Sequence, residues 1–179
     1  MTRSTQPLSS AVRRVPGIDP REALRGLRGT ELTCRTREEA EQLADRLAAF
    51  LPEPMRHRLG LVELLFNAIE HGNLELGTAF KGRLLREHRL EAEIAARLAR
   101  APYRGRQVHV VIARVDPLIE LEIRDDGPGF AWRDALAAEV VASSEPNGRG
   151  IALVRHSCFP DLEYRDPGNV AVVRLRWPS

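Results

Sequence analysis

Glu63, Asn67, Glu70 and His71 interrupt an otherwise apolar stretch, ELLFNAIEHGN, at helical spacing. At about 100° per residue, Glu63 and Asn67 lie roughly 40° apart around a helix axis, and Glu70 and His71 fall within one arc of about 100°. The residues between and before them, Leu61, Val62, Leu64, Leu65, Phe66, Ala68 and Ile69, are apolar. Burying an unpaired carboxylate or amide is costly, so the polar edge must face water, partner side chains or a ligand. A carboxamide oxygen is a neutral hard ligand suited to Mg²⁺ among phosphates, and a glutamate one turn earlier is placed to accept a proton. A solvated edge on a half-exposed helix explains the same residues without chemistry. This segment alone leaves both readings open.

Two further segments carry groups of the same kind. IRDDGPGF puts Asp125 at a strand end, with Gly127 and Gly129 close behind. Glycines there permit positive φ and let the backbone approach a ligand closely, although a tight turn uses the same residues. NGRGIALV sets Gly148 and Gly150 at the start of a helix, whose free N–H groups suit phosphate, with Arg149 between them as a further cation. Taken singly, each is an ordinary turn sequence.

The elements that position these segments follow from periodicity and punctuation. Residues 1–28 are rich in Arg, Ser, Pro and Gly, which predicts a flexible tail with a short helix at Pro20–Leu27. A strand is expected at Glu31–Arg35, then a helix to about Phe50, opened by the capping pair Thr36 and Glu39 and striped by Ala40, Leu43 and Leu47. The polar-edged helix should run from Pro54 to His71 and stop at Gly72. Residues 74–106 turn polar, with helical spacing at Leu84, Leu85, Leu90, Ile94 and Leu98, and read as a helical insertion between core elements. QVHVVIARVD and LIELEIRD form a hairpin around Asp116-Pro117. A short helix near Trp132–Val141, a helix at Ile151–Cys158 and a second hairpin, LEYRD with NVAVVRLRW, close the chain. Helices early and strands late predict an α+β domain, its helices on one face of a mostly antiparallel sheet.

Composition narrows the function classes. With 179 residues, 43% of them hydrophobic, one domain with a substantial core is expected. Charged residues make up 29% and nearly balance at +2, which argues against a dedicated nucleic-acid or membrane-surface binder. Cys34 and Cys158 are the only cysteines and stand far apart, which fits a reducing, cytoplasmic setting. No apolar run reaches the about 18 residues that span a bilayer, and the N-terminus lacks the apolar core of a secretory signal.

ExxxN on a helix, DxGxG after a strand and GxG before a helix, in that order, resemble the ATP-binding signature of the histidine-kinase-like (GHKL) ATPases. The resemblance covers about Glu31 to Trp177. Within that superfamily the chain is most similar to the anti-sigma-factor serine kinases, through EHGN, the short link from Phe130 to Asn147, and GRGIALVRHSCFPDLEYRDPGNVAVVRLRW. The resemblance implies the Bergerat fold over residues 29–179, a two-layer α/β sandwich with a mixed, mostly antiparallel sheet, interrupted by the 74–106 insertion. It implies ATP and Mg²⁺ as cofactors. Asp125 would accept from the adenine amine, Gly127 and Gly129 would shape the floor under the base, and Asn67 would hold Mg²⁺. Glu63 would be the catalytic acid–base, His71 would lie near the phosphates or serve structure, and Gly148, Arg149 and Gly150 would contact phosphate. The implied partner is an anti-anti-sigma (STAS-type) protein, phosphorylated on serine, or a sigma factor, with homodimers usual and no direct contact to nucleic acid or membrane. The alternative is a nucleotide-sensing module without kinase activity. Ala152, where many members have Gly, Asp126, where Asn or Glu is common, and the long insertion depart from the pattern.

Overall fold

In LIELEIRD every second side chain is buried, and Ile119, Leu121, Ile123 and Asp125 turn to one face while Glu120, Glu122 and Arg124 turn to the other. That period of two makes strand β3 (Leu118–Asp125) a one-sided strand in the computed structural model, which describes residues 28–115, 117–133, 150–165 and 167–176. It is the centre of a five-stranded sheet. Strands β1 (Arg28–Cys34), β2 (Val108–Val115), β4 (Glu163–Arg165) and β5 (Val170–Arg176) complete it in the order β1-β2-β3-β5-β4. Every described pairing is antiparallel, so among the described strands the sheet is antiparallel rather than mixed. Val115 stands opposite Leu118, which fixes the expected β2–β3 hairpin. Strand β1 begins three residues before the expected Glu31, because β2 is long enough to pair with it as far as Ala113, past an irregularity between Arg28 and Thr30.

Helix α1 (Arg37–Ala48) opens as its sequence predicts: Glu39 N–H donates to Thr36 Oγ1 at 3.1 Å, and Thr36 N–H donates to the Glu39 carboxylate at 3.2 Å. Its stripe of Ala40, Leu43, Ala44 and Leu47 is buried together with Leu61, Leu64 and Leu65 of helix α2 (Pro54–Asn67) and with Val108, Val110 and Ile112 of β2. Each such side chain contributes about 1.5–3 kcal/mol of transfer free energy. The inserted segment is helical as expected, with α3 (Thr78–Arg86) and α4 (Leu90–Ala99). Its Leu84, Leu90 and Ile94 join the same core, so the insertion packs into the domain. Helix α5 (Gly150–Ser157) follows, and among the described residues no helix is long and apolar enough to cross a membrane.

Helix α2 does not stop at Gly72. Past Asn67 the chain continues as one π-helical turn, Ala68–Asn73, in which Leu74 N–H donates to Ile69 C=O at 2.8 Å. Gly72 lies inside that turn, and the residue that ends it, Leu74, is right-handed. The wider turn also rotates Glu70 out of the edge shared by Glu63 and Asn67. Glu70 is wholly buried, between Lys81 Nζ at 2.6 Å and Arg37 Nε at 3.4 Å. Residues 1–27 of the expected 1–28 tail, most of the Trp132–Val141 helix, Gly148 and Arg149 lie outside the described residues, while Arg28 opens β1 and is not tail.

Candidate nucleotide-type cavity

The widened end of α2, the C-terminal end of β3 and the N-terminal end of α5 meet around a cavity of about 870 Å³. Glu63, Asn67, His71, Asp125, Gly129 and Gly150 all line it, so six of the nine candidate residues from the sequence share one chamber. Its volume falls in the range of about 300–1,000 Å³ usual for small-molecule and cofactor sites. Gly127 stands immediately behind the wall, and Gly148 and Arg149 are the two candidates outside the described residues.

Asp125 is the fixed point of this chamber. It is 7% exposed, and its Oδ1 accepts from Gly127 N–H at 2.8 Å. Its own N–H donates to Asn169 C=O at 3.0 Å, and its C=O accepts from Asn169 Nδ2 at 2.9 Å. Burial pushes its carboxyl up to about 6 from 3.8, reinforced by the neighbouring Asp126 and opposed by the Gly127 N–H. The carboxylate therefore has one oxygen committed to the backbone and one to offer.

Glycines make room for it. A Cβ on Gly72 would run into the Asp125 carboxyl group, and one on Gly127 would meet the Gly72 carbonyl. Only Gly129 of the DxGxG pair has positive φ, at 83°, so Gly127 serves close approach and not turn geometry. Asn73 closes the junction, its Oδ1 accepting from Asp126 N–H at 2.8 Å, while Asp126 Oδ2 accepts from Gln107 N–H at 2.9 Å. The EHGN ending thus docks directly on the Asp-Asp-Gly turn.

On α2, Asn67 Nδ2 donates to Glu63 Oε1 at 3.5 Å, which leaves the Asn67 carbonyl oxygen as an acceptor or ligand. A Cβ on Gly150 would overlap Glu63 Oε1, so the start of α5 closes on the glutamate because that position has no side chain. Burial, then the charge of Lys81, lowers the His71 pKa against the opposing pull of Glu70, which favours the neutral imidazole. Tyr164 lines the wall with its phenol held well above its usual range by burial, then by Asp125 and Glu63. Phe130, also on the wall, meets the Tyr164 ring edge-on at 5.1 Å.

The cavity wall combines a buried acceptor, Asp125, an amide and a carboxylate, Asn67 and Glu63, and glycine backbone at Gly72, Gly129 and Gly150. Among the described residues no group of three or more His, Cys, Asp or Glu forms a metal cage. The Asn67 oxygen is a single neutral hard donor, which fits a Mg²⁺ that takes its other ligands from water or a bound anion. Sequence reasoning missed Gly72, Thr78, Lys81 and Tyr164 of this site. Only Lys81 carried a signal, as the sole lysine of the chain. Compared with protein-family models and with curated proteins, the chain matches none.

Proposed function

We propose that the chain binds Mg-ATP in the manner of the histidine-kinase-like ATPases and transfers the γ-phosphate to a serine of an anti-anti-sigma (STAS-type) protein, with a sigma factor as the competing partner. The observation that carries the reading is the convergence of Glu63, Asn67 and Asp125 on one cavity from separate segments of the chain. The one-sided antiparallel sheet supports the finer assignment to the Bergerat fold.

Asp125 would accept from the adenine amine through the oxygen that Gly127 leaves unused. Asn67 would ligate Mg²⁺, which when bound supplies charge neutralisation on the phosphates. Glu63 would orient the acceptor hydroxyl and take its proton, and the α5 N-terminus at Gly150 would face the phosphates. Positioning and charge carry most of phosphoryl transfer, so this set needs no covalent residue. A second reading, an ATP-sensing module that holds a partner without transfer, draws support from the insertion, whose Gly77, Thr78 and Lys81 also wall the cavity.

Labelled ATP, Mg²⁺ and candidate STAS-type proteins separate the two readings. The kinase reading expects label on a partner serine with the wild type and none with Glu63→Ala, while that variant still binds ATP. Tight ATP binding with no transfer to any candidate by the wild type would leave the module. Absence of ATP binding would remove both.

A further inference from the structure

Lys81 is the single lysine among 27 Lys and Arg residues, and it stands on α3 of the insertion, outside every segment of the ATP signature. Its side chain is 26% exposed and borders the same cavity as Asn67 and His71. The other charged groups on the described wall are Glu63 and Asp125, both acidic. A polyphosphate entering this chamber meets two carboxylates and, among the described residues, one cationic side chain. Lys81 is that cation.

Its present partner is Glu70, at 2.6 Å. Glu70 is wholly buried and also has Arg37 Nε at 3.4 Å, so its charge stays compensated if Lys81 turns away. Each oxygen of Glu70 faces a different cation, Oε1 Arg37 and Oε2 Lys81, so the loss of one leaves the other in place. An ammonium on a flexible four-carbon stem can turn between Glu70 and the cavity without moving the α3 backbone. Arg37 is less free, since its guanidinium also pairs with Glu91 and lies 4.4 Å over the Phe66 ring.

Resting on the ATP reading above, we propose that Lys81 is a specificity residue of the insertion that leaves Glu70 to contact the polyphosphate, so that α3 distinguishes ATP from the bare nucleoside.

Calorimetry with Mg-ATP and with adenosine tests this on the full chain, in wild type, Lys81→Met, Glu70→Gln and the double variant Glu70→Gln/Lys81→Met. Lys81→Met should weaken ATP about 10- to 100-fold, the worth of a charge-assisted contact, and leave adenosine unchanged. The double variant, which removes the buried charge together with its partner, should show the same ATP-only loss and decides the matter if the single variant does not fold. Glu70→Gln alone should tighten ATP, because Lys81 is no longer shared. Hydrogen exchange along α3 should slow with ATP and not with adenosine in the wild type, and lose that difference in the double variant. Unchanged ATP affinity without Lys81 would overturn the inference while sparing the ATP reading, and equal loss of ATP and adenosine would reduce Lys81 to a structural role. A wild type that binds neither ligand would fail the underlying reading itself.

Discussion

Asp125 shows how one residue is prepared by others that never touch a ligand. Gly127 N–H holds one carboxylate oxygen at 2.8 Å, so an amide in its place would keep its carbonyl on Gly127 and turn its NH₂ toward the cavity. A donor would then face the adenine amine, itself a donor. Asp125→Asn should weaken ATP about 10- to 100-fold by calorimetry. The fold should not suffer, because burial has raised the carboxyl from 3.8 to about 6 and ionising it at neutral pH costs the native state about 3 kcal/mol. The sign follows from linkage: the native state holds this proton more tightly, so its stabilisation is complete below about 3.8 and disappears as pH rises through about 6. Urea midpoints at pH 5 and pH 7.5 should differ more in the wild type than in Asp125→Asn, with the wild type relatively weaker at the higher pH. ATP affinity should move the opposite way and rise with pH through the same interval, since the ionised acceptor is the binding form. A wild-type affinity flat across that range would count against the adenine role. Asp125 was legible because a carboxylate before glycines at a strand end is a local pattern. Gly72 was not, because its purpose is the absence of a side chain against a residue 53 positions away.

At the scale of elements, the sequence revealed most where one local rule governs. The Thr36–Glu39 capping box and the β2–β3 hairpin each depend on a few neighbouring residues, and both stand as expected. The end of α2 escaped because a wheel drawn at about 100° per residue assumes 3.6 residues per turn, and the π-turn at Ala68–Asn73 breaks that assumption. That break takes Glu70 from a supposed polar edge to the interior and hands it to Arg37 and Lys81. The insertion likewise read as an arm because its outer faces are charged. Three aliphatic anchors, Leu84, Leu90 and Ile94, bind it instead, with polar contacts across its boundary. Arg106 donates to Asn73 C=O at 2.8 Å, Arg35 donates to Leu98 C=O at 3.4 Å, and Lys81 pairs with Glu70 at 2.6 Å. The insertion should therefore melt with the domain and not before it. Ile94→Ala, which empties a fully packed position, should cost about 2–4 kcal/mol and shift one cooperative urea transition. A separate early transition would show that the insertion is an independent appendage.

The whole molecule divides its labour between the faces of the sheet. The outer face carries a ladder of ion pairs, Arg174 with Glu120 at 2.8 Å and Glu163 at 3.0 Å, and Arg165 with Glu122 at 2.7 Å. Partly exposed surface pairs of this kind contribute about 0–1 kcal/mol each, so stability resides on the helix side. The cavity lies on that side too, with walls drawn from α2, the π-turn, α3, the end of β3 and α5. A ligand bound there touches most of the core-forming elements at once and cannot bind the unfolded chain. At a ligand concentration about 100 times Kd, it should stabilise the fold by about 2.7 kcal/mol. In thermal melts the wild type should gain from ATP and gain further when Mg²⁺ is added. Asn67→Ala deletes the proposed metal ligand and spares Asp125, so it should keep the gain from ATP alone and lose the increment from Mg²⁺. Glu63→Ala removes the proton acceptor and not the ligand of the metal, so it should retain both. Should Asn67→Ala still respond to Mg²⁺ as the wild type does, the metal would belong to other groups, and the polar edge of α2 would need a different explanation.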